Sequence, residues 1–267
     1  TIGLSLRTGA AFTSDSSGLT ITGSKAQPMR ILPRLATTIP SGTYTGNALD
    51  EVLVETEPYG EVNVEDVTFH DLGIPYRVGG DLTGGDFRVG PKAFKLTLEA
   101  GVKLKFKKTG QLLTSATPAV STGVLVMNGT QAKPVVLTSA EAVPAAGDWR
   151  GVVLSNFPSA AYSFDHVEIR YAGGPSMANS AHCQENPTVA GEVSRSEDAA
   201  LAIFHQPSKA YLTNSLIADS KGLGVDLAYT GDPVDFLPTN TFTALGSCKV
   251  SFPRPTGGQC PNTVPCP

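Results

Sequence analysis

Short stretches in which apolar and polar residues alternate recur along this chain. In Leu96-Thr97-Leu98 and again in Leu104-Lys105-Phe106 the apolar residues take every second position. Two residues is the period at which successive side chains of a strand point to opposite faces. Val152-Val153-Leu154, Leu201-Ala202-Ile203, Val225-Asp226-Leu227 and Val250-Ser251-Phe252 start further strands, separated by one or two multiples of roughly two dozen residues. Between them, Tyr162 to Tyr171 reads as strand, and Tyr211 to Ile217 reads as a strand stacked on it. Gly, Asn and Ser mark the joints, as turns require.

A coarser self-similarity overlies this period. Gly23 to Ile31 and Gly129 to Leu137 share the pattern G-[ST]-x-A-x-P-x-x-[IL]. Val64 to Gly73 matches Phe164 to Gly173, and Leu4 to Gly9 matches Leu96 to Gly101, so three matches in one order imply a duplicated module. The expected organisation is a first module over 1–75, a second over 76–247 with an inserted loop at 174–198, and a cysteine-rich C-terminal cap at 248–267. Thr1 falls just before a matched strand, so the first module is expected to begin part-way, with sequence upstream of it.

Two dozen residues is the length of one β-helical rung, and a rung cannot bury its inner face alone. The expected fold is all-β: a right-handed parallel β-helix whose apolar positions line the interior. A two-domain β-sandwich is the competing reading. The 28 Gly, 20 Pro and 16% charged residues fit strands and turns better than helices. A net charge of −4 gives no basic footprint for nucleic acid. No apolar run is long enough for a transmembrane helix. Cys183, Cys248, Cys260 and Cys266 include no C-x-x-C pair, so disulfides are favoured over zinc, and with them an oxidising compartment. Which cysteines pair is open.

Four blocks carry a family resemblance: Tyr76 to Leu82, Leu96 to Phe106, Pro134 to Ser139, and Gly147 to Leu154 with its Gly-Asp-Trp-Arg-Gly. In this order they resemble the secreted bacterial proteins with parallel β-helix repeats. The resemblance covers residues 76 to 229 well and 1 to 73 as a weaker copy. It implies the solenoid and a secreted or cell-envelope location, while the family's roles are diverse.

Candidate chemistry starts at Asp165, His166, Glu168 and Arg170, which superficially resemble the Asp-His strand of pectate lyases; the matching positions in the first copy are Glu65, Asp66, Thr68 and His70. A uronate lyase needs calcium-binding carboxylates and a basic residue to take the proton, but the Arg-x-Pro-x-x-Arg element that supplies that base is missing. A glycosidase needs two carboxylates across the bond; Asp219, Asp226, Asp165 and Glu168 are candidates, without the Asn-Thr-Asp, Asp-Asp or Gly-His-Gly motifs of polygalacturonases. For ligand binding, Trp149 with Tyr162 and Tyr171 offers an aromatic sugar-stacking face. Lys103, Lys105 and Lys107, all expected to point outward, offer a basic patch for an acidic glycan. His182, Cys183 and Glu185 sit in the 174–198 loop, where a disulfide-pinned cap is favoured over a metal site. No cofactor or metal is expected. The leading expectation is a non-catalytic extracellular or cell-surface protein for adhesion, carbohydrate binding or structural display, with a polysaccharide or cell-surface partner. The alternative is a polysaccharide lyase or glycoside hydrolase acting on acidic polysaccharide.

Overall fold

The computed structural model describes residues 1–7, 10–56, 60–62, 65–79, 85–90, 93–114, 123–155, 160–175, 198–255 and 266–267. Among these residues, short parallel strands form sheets of nine, six and five strands, with a separate two-stranded sheet near the N-terminus. The chain visits the three larger sheets in a fixed cycle. From Tyr76–Val78 in the first (nine-stranded) sheet it passes to Asp86–Val89 in the second (six-stranded) and Lys95–Leu98 in the third (five-stranded). It then returns to the first at Lys103–Phe106. Each circuit is one rung, and the stacked rungs form a right-handed parallel β-helix.

Register follows the apolar alternation. Leu4, Met29, Val52, Tyr76, Leu104, Leu137, Ile169, Ile217 and Phe242 form one inward column of the first sheet. The recurrent starts Val152, Leu201, Val225 and Val250 fall in one column of the second sheet. Phe164 stacks on Leu212 in the third sheet, and Ile169 on Ile217 in the first. Each apolar side chain buried in such a column contributes about 1.5–3 kcal/mol.

The longer sequence matches fare differently. Met29–Ile31 and Val135–Ser139 do share the first sheet, although Met29 lies in the column of Leu137, two residues beyond the one it matches in sequence. The other two matches join strands of different sheets: Val67–Phe69 in the third with Val167–Arg170 in the first, and Leu4–Ser5 in the first with Lys95–Leu98 in the third. Many strands share the same alternation, and several are followed directly by a left-handed glycine, such as Gly79 and Gly90. Local sequence therefore marks a strand and its corner but not the sheet that receives it. Val52–Val54 pairs directly with Tyr76–Val78, so the first sheet runs unbroken past residue 75.

Corners are tight. His166 and Asn214 turn the chain from the third sheet to the first, and Tyr171, Asp219 and Ala244 follow strands of the first sheet, all with φ between 49° and 60°. Asn, Asp and His tolerate this left-handed region better than most side chains. The 174–198 interval falls after Val167–Arg170 and before Ala199–Ile203, yet both strands keep their register with the rungs on either side.

Two charged clusters fasten the outside. On the first sheet Glu51 is buried and accepts from Arg77 Nη1 at 3.1 Å and Lys105 Nζ at 2.9 Å. Between Arg30 and Arg77 lies Leu53, outward-facing yet 3% exposed, as expected where long cationic stems cover an apolar neighbour. On the second sheet Asp226 and Arg254 pair at 2.7 Å, both buried, and Ser251 donates to the same carboxylate oxygen at 3.0 Å. Cys248–Cys266 is a disulfide near the C-terminus; Cys183 and Cys260 lie outside the described residues.

Arg254→Met leaves Asp226 buried without its cation and is expected to cost about 3–5 kcal/mol in urea unfolding, while adding Asp226→Leu recovers much of that loss. A single-variant change below about 1 kcal/mol would show the pair to be dispensable. Burial acts to raise the Glu51 carboxyl, but the hydrogen bonds and charges of Lys105 and Arg77 outweigh it and hold it below the usual glutamate range. A lowered folded value gives stability that is complete above the unfolded glutamate value and is lost as pH falls through the folded one. Glu51→Gln is expected to flatten the acid limb of the Tm-against-pH curve in that window; an unchanged limb would refute the assignment.

Candidate functional site

An open groove of about 450 Å³ runs along the corner where the third sheet hands the chain to the first. Four successive rungs build it. Thr130, Gln131 and Pro134 come from the first, where Thr130 and Lys133 close a tight turn through reciprocal backbone hydrogen bonds. Gly129 precedes this turn, and a Cβ there would come within 2.6 Å of the His166 carbonyl oxygen. His166, Val167 and Glu168 follow from the next rung, then Asn214, Ser215 and Leu216, and finally Thr239 and Thr241.

Hydrogen bonds running between rungs lock the groove's floor. Ser215 Oγ donates to the Thr213 carbonyl and accepts the Val167 N–H. Asn240 accepts the Ser215 N–H and donates to the carbonyls of Leu212 and Phe236. Asn47 repeats this geometry near the N-terminus, accepting from Ser24 N–H and donating to the Ile21 and Tyr44 carbonyls. Neither asparagine stands out in the sequence, because the role depends on which rung lies beneath.

Asp165 and His166 sit on the groove's edge with His166 Nδ1 3.0 Å from Asp165 Oδ2. The other carboxylate oxygen accepts from Thr213 Oγ1 and Asn214 Nδ2, each at 2.8 Å. Burial works to raise this carboxyl, but the hydrogen bonds from Asn214, Thr213 and His166 prevail and hold it below the usual aspartate range. It is therefore an ionised acceptor at neutral pH. Glu168 and Arg170 share the outer face of the first sheet, with Arg170 Nε 2.9 Å from Glu168 Oε2 and Nη1 3.7 Å from Asp219. Of the four candidates, His166 and Glu168 line the groove, Asp165 backs the histidine, and Arg170 is tied to two carboxylates.

The expected aromatic face does not form. Trp149 is fully buried, stacks on Phe106 at 4.4 Å, and donates Nε1–H to the Arg170 carbonyl. Phe106 in turn shares a column of the first sheet with the small Ser139. Tyr162, 2% exposed, packs with Phe164 and Tyr211 and donates to the Gly123 carbonyl. Tyr171 is half-buried at a different corner, between the first and second sheets. The basic patch is also reduced: Lys103 is exposed, but Lys105 is held by Glu51 and Lys107 is half-buried. Alternation identifies an outward lysine without revealing the carboxylate two rungs away. His70 is held by Glu99 and the Thr37 carbonyl. His182, Cys183 and Glu185 lie outside the described residues.

One cluster on the outer face of the second sheet escaped the sequence reading. Asp86 is held by Arg88 Nη2 at 2.9 Å and Gln111 Nε2 at 2.8 Å, with Arg150 Nη1 at 3.9 Å. Only the register Asp86–Gln111–Gly151 brings these residues together. Beside it lies a small buried apolar cluster of Val153, Ala202, Phe204 and Ala228. Among the described residues no three His, Cys, Asp or Glu side chains gather as metal ligands, and no helix is long and apolar enough to cross a membrane.

No curated protein and no solved structure matches the chain significantly. The rungs from Tyr76–Val78 to Gly151–Leu154 lie within residues 76–160, and that segment matches the family model described as the pectate-lyase-like beta helix domain.

Proposed function

We propose that this chain is an extracytoplasmic β-helix that binds polysaccharide in the groove between its third and first sheets and does not cleave it. The observation that carries the reading is the groove itself, where side-chain hydroxyls and amides from four stacked rungs line one open channel. A rigid, stepped surface of this kind suits a repeating ligand, because neither partner has to be reordered on binding. The disulfide fits an oxidising compartment, and the matched family model carries a polysaccharide-related name.

The electrostatics of the candidate catalytic residues support binding over cleavage. A glycosidase acid must hold its proton near neutral pH, which calls for a raised carboxyl, whereas Asp165 is shifted the other way. A lyase base must reach the sugar unencumbered, whereas Arg170 is engaged by Glu168 at 2.9 Å and lies 3.7 Å from Asp219. A second reading, turnover of polysaccharide, is favoured by the Asp165–His166 pair, since a carboxylate that orients an imidazole is a common arrangement for proton transfer.

Affinity electrophoresis in polysaccharide-containing gels, paired with assays for new reducing ends and unsaturated uronate absorbance, separates the two. Retardation without product is expected, weakened about fivefold by Gln131→Ala through loss of one hydrogen bond. Product that disappears in His166→Asn, a replacement suited to the left-handed corner, would overturn the non-catalytic reading.

A further inference from the structure

If the groove is a polysaccharide site, its charge and spacing select the class of chain it holds. Among the residues that line it there is no lysine or arginine, and Glu168 supplies a carboxylate. Nearby cations face elsewhere: Arg170 is engaged by Glu168 and Asp219, and Lys133 Nζ lies 2.9 Å from Asp71 on the preceding rungs. Any positive charge on His166 is matched by Asp165 at 3.0 Å. A uronate carboxylate entering the groove would lose hydration and find no unengaged cation among the lining residues, while Glu168, though paired with Arg170, presents a like charge. An uncharged sugar meets hydroxyls and amides that can donate and accept, while Pro134 and Leu216 offer apolar surface to its C–H faces.

Spacing adds a second constraint. Neighbouring strands lie about 4.8 Å apart, so four rungs repeat their contacts over about 14 Å along the solenoid axis. An extended β-linked sugar chain advances by a closely similar step per unit. We propose that the groove holds an uncharged, extended polysaccharide laid along the axis, one sugar unit per rung step and about three units in all.

The test is affinity electrophoresis of the full chain, at one ionic strength, in gels containing neutral polymers (a mixed-linkage β-glucan, xylan, galactomannan) or uronate polymers (polygalacturonate, alginate). At least one neutral polymer is expected to retard the protein and the uronates are not. Gln131→Ala and Thr241→Val, both at exposed positions, should each weaken that retardation about fivefold. Thr241→Lys should introduce retardation by uronates. Matching oligosaccharides should gain affinity up to about three units and then level off. Retardation of the wild type by uronates, weakened by the two groove variants, would overturn the ligand class and leave the binding reading standing. Retardation that ignores the groove variants would overturn both the class and the site, and retardation by no polymer would overturn the binding reading with it.

Discussion

Everything in this molecule depends on stacking parallel strands in register so that each rung's apolar face is covered by the next. A single circuit places two or three short strands around a centre it cannot fill. The columns through Leu104 and Leu137, or through Val152 and Leu201, close that centre only because the hydrogen-bond ladders fix every inward side chain above another. One polar exception inside is compensated. Ser139 hydrogen-bonds to Asp148, and the indole of Trp149 stacks on Phe106, which shares a column with Ser139.

Strand content and rung period were legible because they are local. The alternation in Leu96 to Leu98 and Leu104 to Phe106 correctly names the buried residues, and the spacing of Val152, Leu201, Val225 and Val250 names residues that share one column. What could not be read is set between rungs. Trp149 follows a turn, and its ring is held inside by partners distant in sequence, the Phe106 ring and the Arg170 carbonyl. Lys105 alternates outward as expected, but the carboxylate that holds it is Glu51, 54 residues before it. Asn47 and Asn240, widely separated in sequence, occupy equivalent corners for reasons visible only once the rungs are stacked.

The groove shows the same division. Its candidate residues were read as a cluster on one strand, Asp165 to Arg170, which the corner at His166 divides between the third and first sheets. Its chemistry comes from partners one rung away. Thr213 and Asn214 keep Asp165 ionised, and Asp219 holds Arg170 from the following corner. A constellation that resembles catalytic machinery along the chain thus becomes, across the stack, a set of satisfied ion pairs bordering a neutral channel.

The pairing of Val152 with Leu201 and of Glu168 with Leu216 passes over the 174–198 interval as though it were absent. Length at a corner and order in the stack are therefore separable properties of this architecture. A lineage can lengthen, shorten or exchange a corner segment without asking the interior to repack, and each corner can evolve at its own pace. For an engineer the same independence marks this corner as a place to graft a foreign loop, with the neighbouring rungs serving as a built-in report on whether the scaffold has noticed.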